Sequence, residues 1–477
     1  MQARPLKLLL DSELAETVIY IAVFLYLCML MKRVLIISYY WPPTGGSGVQ
    51  RWVKFAKYLP SEGWQPVIYT PENPEQLAVD ASLEAEVPAA AEVIKRRIVE
   101  PYELYKKVLR RSGHSKEAVE VNPVNAQNKS LLQKMAMWVR GNLFRPDPRC
   151  LWIGPSVRYL KKYLAEHPVD LIVSTGPPQS MHMIGLRLAQ ETGLPWIADF
   201  RDPWTKIFYF KHLQMTRATE RWHKKMERKV LDGATAVVAV SPLVQQEFQA
   251  MTNTPVELIT NGFDECDFHA EPFAMAYGGP SMDFSITHTG LFAADGNPTV
   301  LWEVLSEKCK ADAEFRKHLK INLIGKTDEQ ILKAICDAGL EENLMNMGYL
   351  EHARAIDEQR KASLLILPLR KEPEYKAVLP GKLFEYLASW RPVLGIGQTD
   401  GAMAMILKDA KAGIVLDWED KDAMRRYIDE CWEKHLKGEL KATEGDISRF
   451  SRFNLTQRMA QLFERLITER DPRSSRG

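Results

Sequence analysis

Short apolar runs alternate with stretches of helical spacing along most of the chain. Residues 34–38 (VLIIS) are rich in β-branched side chains, the composition of a buried parallel strand. The run ends in Tyr39-Tyr40-Trp41-Pro42-Pro43-Thr44-Gly45-Gly46-Ser47-Gly48, which cannot be regular structure. Beyond it Trp52, Val53, Phe55, Ala56 and Leu59 fall at helical spacing. Strand, glycine-rich loop and helix form the opening unit of a nucleotide-type α/β domain. The same reading predicts strands at 66–69, 93–99, 169–174, 196–200, 235–240 and 256–259, and a helix over 179–190. Leu131, Met135, Trp138 and Val139 share one helical face, and the polar stretch 113–130 reads as an excursion. The second half repeats the logic, with strands at 283–287, 321–324, 364–367, 393–396 and 414–416 and helices at 300–309, 383–389 and 401–409. Phe450, Leu455, Met459, Leu462, Phe463 and Leu466 predict a helix in the tail.

Strand-to-helix alternation in both halves implies an α/β protein of two doubly wound, Rossmann-like domains, with ligands at the carboxyl ends of the strands. A length of 477 residues suits two domains. The expected boundaries are 32–265 for the first domain, 266–282 for a linker around Gly278-Gly279-Pro280, and 283–445 for the second. A carboxyl-terminal helix is expected over 446–470. Glycine and polar clusters at the strand ends of both halves point to a cleft shared by the domains.

The amino end stands apart. Residues 17–30 (TVIYIAVFLYLCML) carry no charge but are short of the ~20 apolar residues of a membrane span. Asp11, Glu13 and Glu16 before them do not suit a secretory signal. Residues 1–31 are therefore expected to be an extension outside the core, with a membrane anchor as the competing expectation.

Composition narrows the function. Sixty-three Lys and Arg against sixty-one Asp and Glu leave a formal charge of +2, so the whole chain offers no argument for nucleic acid. The six cysteines, Cys28, Cys150, Cys266, Cys309, Cys336 and Cys431, form no C-x-x-C pair and suit a reducing, cytoplasmic setting. No metal-ligand spacing appears, and no metal or cofactor is expected. One local run is basic. Lys206, Lys211, Arg217, Arg221, Lys224, Lys225, Arg228 and Lys229 meet only Glu220 and Glu227. It reads either as an ordinary solvated helix or as a peripheral contact with an anionic membrane surface or a lipid-diphosphate acceptor.

The candidate chemistry lies at strand ends. Gly45 and Gly46 let a ligand approach the backbone ahead of a helix amino end, although neither a dinucleotide fingerprint nor a P-loop is spelled. Glu385 follows Pro380-Gly381-Lys382, and its carboxylate can accept two ribose hydroxyls. Lys382 and Arg370 can offset a diphosphate, and the helix terminus at Gly381 adds backbone donors. Asp199, Arg201 and Asp202 end the 196–200 strand, where they can orient an acceptor hydroxyl or form an Arg–Asp pair that fixes the loop. His288, ahead of Thr289-Gly290, is a better ligand candidate than His182, for which a structural role weighs equally.

These segments resemble the bacterial family 4 glycosyltransferases of GT-B fold. The likeness is carried by residues 34–59, by 173–204 (VSTGPPQSMHMIGLRLAQETGLPWIADFRDPW) and by 379–396 (LPGKLFEYLASWRPVLGI), together with Asn261-Gly262-Phe263-Asp264 and His288-Thr289-Gly290. It implies a nucleotide-sugar donor held by the second domain and a glycan or lipid-linked acceptor held by the first. It also implies retention at the anomeric carbon without metal, and a last helix that returns to the first domain. Glu385 matches the second glutamate of the family's E-x7-E motif and would hold the donor ribose. The first falls at Ala377, with Glu374 nearby but off register. Arg201 stands where the family often has a histidine, and 293–296 (AADG) lacks the usual basic residue. Gly46, Arg370 and Lys382 would stabilise the leaving diphosphate. The expected activity is sugar transfer in polysaccharide or glycolipid assembly, at the cytoplasmic face of the inner membrane. An epimerase or hydrolase of the same scaffold, and a non-catalytic nucleotide-sugar binder, are the alternatives.

Overall fold

The computed structural model describes residues 31–75, 79–100, 138–268, 282–440 and 445–469. The apolar run at 17–30, the polar excursion at 113–130 and most of the expected linker lie outside these residues.

Thirteen strands form two sheets among the described residues. The first runs β3-β2-β1-β4-β5-β6-β7 and the second β10-β9-β8-β11-β12-β13. In the first, β1 (Lys32–Ile37) pairs in parallel with β2 (Trp64–Pro71) and β4 (Leu171–Gly176), so Leu35 lies between Val67 and Ile172. The others are β3 (Glu92–Arg96), β5 (Trp196–Phe200), β6 (Ala236–Ala239) and β7 (Val256–Leu258). In the second, β8 (Phe284–Thr289) pairs in parallel with β9 (Leu319–Ile324) and β11 (Leu364–Pro368). β10 (Leu344–Gly348), β12 (Val393–Ile396) and β13 (Gly413–Leu416) complete it. Val34 to Ile37 and Leu364 to Ile366 are fully buried, because helices cover both faces of a parallel sheet and leave no polar face to alternate with. β10 was not predicted by the apolar pattern. It is an edge strand, and its LMNMG sequence is mostly exposed or half-exposed.

By their internal contacts the residues form two compact units. One comprises 31–200, 214–237 and 456–469, and the other 201–213 and 238–455. The helices used below are α1 (Ser47–Tyr58), α2 (Ser180–Thr192) and α3 (Arg217–Gly233), then α4 (His352–Lys361), α5 (Gly381–Ala388) and α6 (Arg452–Thr468). The part of α6 in the first unit packs Phe463 edge-on against Trp64 with centroids 5.0 Å apart, and Glu464 pairs with Lys32.

Candidate functional site

In the second sheet, chain order reverses between β8 and β11, and such a switch point opens a crevice beyond the strand carboxyl ends. Three loops meet there. The N–H of Gly290, after β8, donates to Ile324 O at 2.7 Å, so this amide is not left for a ligand. Gly290 has φ +89°, and a Cβ on it would come within 3.1 Å of Lys382 Nζ. Gly325, after β9, has φ +108°, and a Cβ there would press to 2.5 Å from Gly290 O. Both positions need glycine so that the loops can close on each other and on the lysine.

Lys382 enters from the first turn of α5, whose amino end is set by Pro380. Its ammonium donates to Thr289 O at 2.6 Å and, more weakly, to Leu291 O at 3.4 Å. It also lies 3.4 Å from His288 Nε2. His288 is buried, and its Nδ1 lies 3.1 Å from Ile366 O, a pure acceptor, so that nitrogen carries the proton. Burial, reinforced by Lys382, holds the imidazole pKa well below its usual value. The ring is therefore neutral, and its Nε2 lone pair faces the lysine. Burial likewise pushes Lys382 down to about 8, a tendency opposed by Glu385. Among the described residues Lys382 forms no ion pair; carbonyl oxygens and a neutral ring hold it, and Glu385 acts on it only without direct contact.

One helical turn on, Glu385 is half-buried and accepts a long hydrogen bond from Gln359 Nε2 at 3.4 Å. Gln359 on α4 also donates to Thr289 Oγ1 at 3.1 Å and accepts from Ser389 Oγ at 3.1 Å. Tyr386 OH accepts from Thr289 N at 2.9 Å. Gln359, Thr289, Tyr386, Ser389 and Gly325 were not among the residues expected from sequence. The glycine ahead of Lys326 was a legible signal at a strand end. Gln359 was not, because nothing in HARAIDEQRK marks its buried face.

Arg370, after β11, pairs with Asp295 at 2.8 Å, and its guanidinium lies over the rings of Phe208 and Tyr375 at 4.9 and 5.5 Å. Both rings line a pocket of about 220 Å³ with Arg201, Asp202, Glu374 and Ala377. Lys211 holds both oxygens of Glu374 at 3.0 Å. Burial pushes the Asp202 carboxyl up to about 6 despite the pull of Arg201. The structure thus brings His288, Gly290, Arg370, Gly381, Lys382 and Glu385 to one strand-end region, and Arg201 and Asp202 to a pocket reached through Arg370.

The remaining expected residues fall in the first unit. Asp199 is fully buried and saturated. It accepts from Arg51 Nη2 and Trp52 Nε1 at 2.8 Å each and from Thr175 Oγ1 at 2.9 Å. Burial alone would raise its pKa, but the Arg51 charge and these hydrogen bonds turn the shift downward. With every acceptor direction taken, Asp199 fits the alternative of a loop-fixing ion pair, although its partner is Arg51 and not Arg201. Gly45 is packed against Asp80, whereas Gly46, at φ +100° before α1, has open space where a side chain would stand. His182 on α2 is buried, 2.9 Å from Ser174 Oγ and against the Phe200 ring. On α3 the cations Arg217, Arg221, Lys224, Lys225, Arg228 and Lys229 are all exposed, while His223, Glu227, Val230 and Leu231 face inward. Among the described residues no helix is long and apolar enough to cross a membrane, and no group of three His, Cys, Asp or Glu could hold a metal.

The family model for glycosyltransferase family 4 matches residues 109–265, and that for glycosyl transferases group 1 matches residues 285–434. No curated protein matches the chain. Sucrose-phosphate synthase from Thermosynechococcus elongatus is similar in structure at 15% identity and TM-score 0.59, covering 92% of this chain and 100% of that one. A glycosyltransferase from Rickettsia africae follows at 13% identity and TM-score 0.57, covering 92% and 99%. A UDP-N-acetylglucosamine 2-epimerase from Listeria monocytogenes, described as putative, has 10% identity and TM-score 0.50, covering 92% and 98%. At such identities the likeness shows the fold alone. With parallel α/β sheets on this plan and the two domain matches in this order, the chain belongs to the GT-B-fold glycosyltransferases, a family 4 domain followed by a group 1 domain.

Proposed function

We propose that the protein transfers a sugar from a nucleoside-diphosphate donor to a hydroxyl of a glycan or lipid-linked acceptor, with retention and without a metal. The observation that carries this reading is Lys382, held by carbonyls of the loop after β8 and in no ion pair among the described residues. A diphosphate supplies an anionic partner. The Gly381 and Lys382 amides at the start of α5 add donors to it, and Arg370 adds a second cation. Glu385, which takes a long hydrogen bond from Gln359, would accept the two ribose hydroxyls. In the transfer, the acceptor oxygen bonds to the anomeric carbon as the bond from that carbon to the phosphate oxygen breaks. The diphosphate leaves with the electron pair and takes up the hydroxyl proton. The exposed cationic face of α3 supports an acceptor at an anionic membrane surface on the cytoplasmic side.

A donor panel incubated with an acceptor-lipid extract and read by mass spectrometry tests the reading. Addition of one sugar mass to a lipid or glycan is the expected result. Consumption of donor without acceptor would identify an epimerase or hydrolase instead, and tight donor binding without product would identify a binder. Glu385→Ala should weaken donor affinity by roughly 10–100-fold, the worth of hydrogen bonds to a charged group. Unchanged donor affinity in that variant would remove Glu385 from the site.

A further inference from the structure

The pocket beside Arg370 contains two carboxyl groups in opposite states. Glu374 is held by Lys211 through both oxygens. Asp202 accepts no hydrogen bond among the described residues, and Arg201 is the one charge that acts on it. Lys206 and the apolar surfaces of Phe208, Tyr375, Val240, Val244 and Leu379 line the same pocket. An unbonded carboxyl in such surroundings is costly to maintain. It is also the form that marks a ligand-binding group.

The ligand class follows from the walls. Aromatic rings stack on the C–H faces of a sugar, and a carboxylate with both oxygens unbonded accepts its hydroxyls. At about 220 Å³ the pocket lies below the ~300–1,000 Å³ typical of sites that bury a drug-sized ligand, so it suits one ring and not a whole nucleotide sugar. Arg370 borders it, stacked on Phe208 and paired with Asp295 of the segment after β8. Ala377 lines the pocket with a methyl group at the position where the E-x7-E pattern would place a carboxylate. Glu374, tied to Lys211, is not free to take that place.

We propose that Asp202 binds the hydroxyls of the transferred monosaccharide in this pocket, supplying from the loop after β5 the carboxylate that Ala377 lacks. This rests on the nucleotide-sugar reading above. Because the Asp202 pKa is pushed to about 6, its acceptor form develops as pH rises through that value.

The test compares wild type, Asp202→Asn, Ala377→Glu and the double variant Asp202→Asn/Ala377→Glu. Affinity for the free nucleoside diphosphate is measured by calorimetry, and kcat/KM for the nucleotide sugar from pH 5 to 8. Asp202→Asn is expected to bind the diphosphate as wild type does, which also shows that it is folded. It should lose ~10–100-fold in kcat/KM and the rise with pH near 6. The double variant should recover part of that loss. If Asp202→Asn binds the diphosphate and keeps the wild-type kcat/KM and pH profile, the proposal is overturned while the nucleotide-sugar reading stands. A wild type that binds no nucleoside diphosphate and consumes no donor overturns both.

Discussion

Asp199 and Asp202 are three positions apart in sequence, and their surroundings are opposite in kind. Asp199 ends in the interior of the first unit with Arg51, Trp52 and Thr175 around its oxygens, and its pKa is lowered. Asp202 stands in a pocket of the second unit with no hydrogen bond among the described residues, and its pKa is raised to about 6. The first carboxylate is stabilised by its surroundings and contributes to folding. The second is destabilised by its surroundings, which is the condition of a group kept for a ligand. Charge density in IADFRDPW could not distinguish them; the partners that do so come from residues 51, 52 and 175.

The contrast is most exposed to failure at Asp199. Asp199→Ala removes the carboxylate that the buried Arg51 guanidinium pairs with and should cost about 3–5 kcal/mol, read from the urea midpoint of unfolding. A loss under ~1 kcal/mol would mean that the pair does not hold the first unit together. Thr175→Val removes one hydrogen bond to the same carboxylate and should cost about 1.5–3 kcal/mol in the same measurement. The smallest effect has the opposite sign. A carboxyl with a raised folded pKa contributes stability that is complete below its unfolded value of ~3.9 and lost as pH rises through about 6. Asp202→Asn should therefore raise Tm by roughly 2–4 °C at pH 8 and leave it unchanged at pH 3.5. Asp199, with its lowered pKa, gives the reverse: its contribution is present above ~3.9 and fades as pH falls below that value. A Tm of Asp202→Asn that falls at pH 8 would show that the pocket carboxylate is satisfied after all.

Much of the fold was legible because buried parallel strands are written as unbroken apolar runs. VLII, LIVS and LLIL needed no tertiary information. β10 failed that reading because an edge strand has little apolar surface to cover. The site was legible where local chain chemistry makes it. Pro380-Gly381-Lys382 announces a helix start, and Glu385 lies one turn beyond. What no local pattern could carry was the contact between distant segments: His288 holding Lys382 across 94 positions, Gln359 reaching Glu385 across 26, and Gly325 yielding to Gly290. Gly290 was expected to bind the ligand; its amide is committed to Ile324, and what it offers at this place is the absence of a side chain.

The first unit draws on residues up to 200, on 214–237 and then on residues from 456, where Phe463 covers Trp64 and Glu464 meets Lys32. During synthesis, the whole stretch between residue 237 and residue 456 emerges before that helix does. At ~5–20 residues per second this is a delay on the order of tens of seconds. The part of the molecule made first is thus completed last, and for that interval Trp64 lacks its cover on a nascent chain. A truncation near the carboxyl end should accordingly register as damage to the amino-terminal unit.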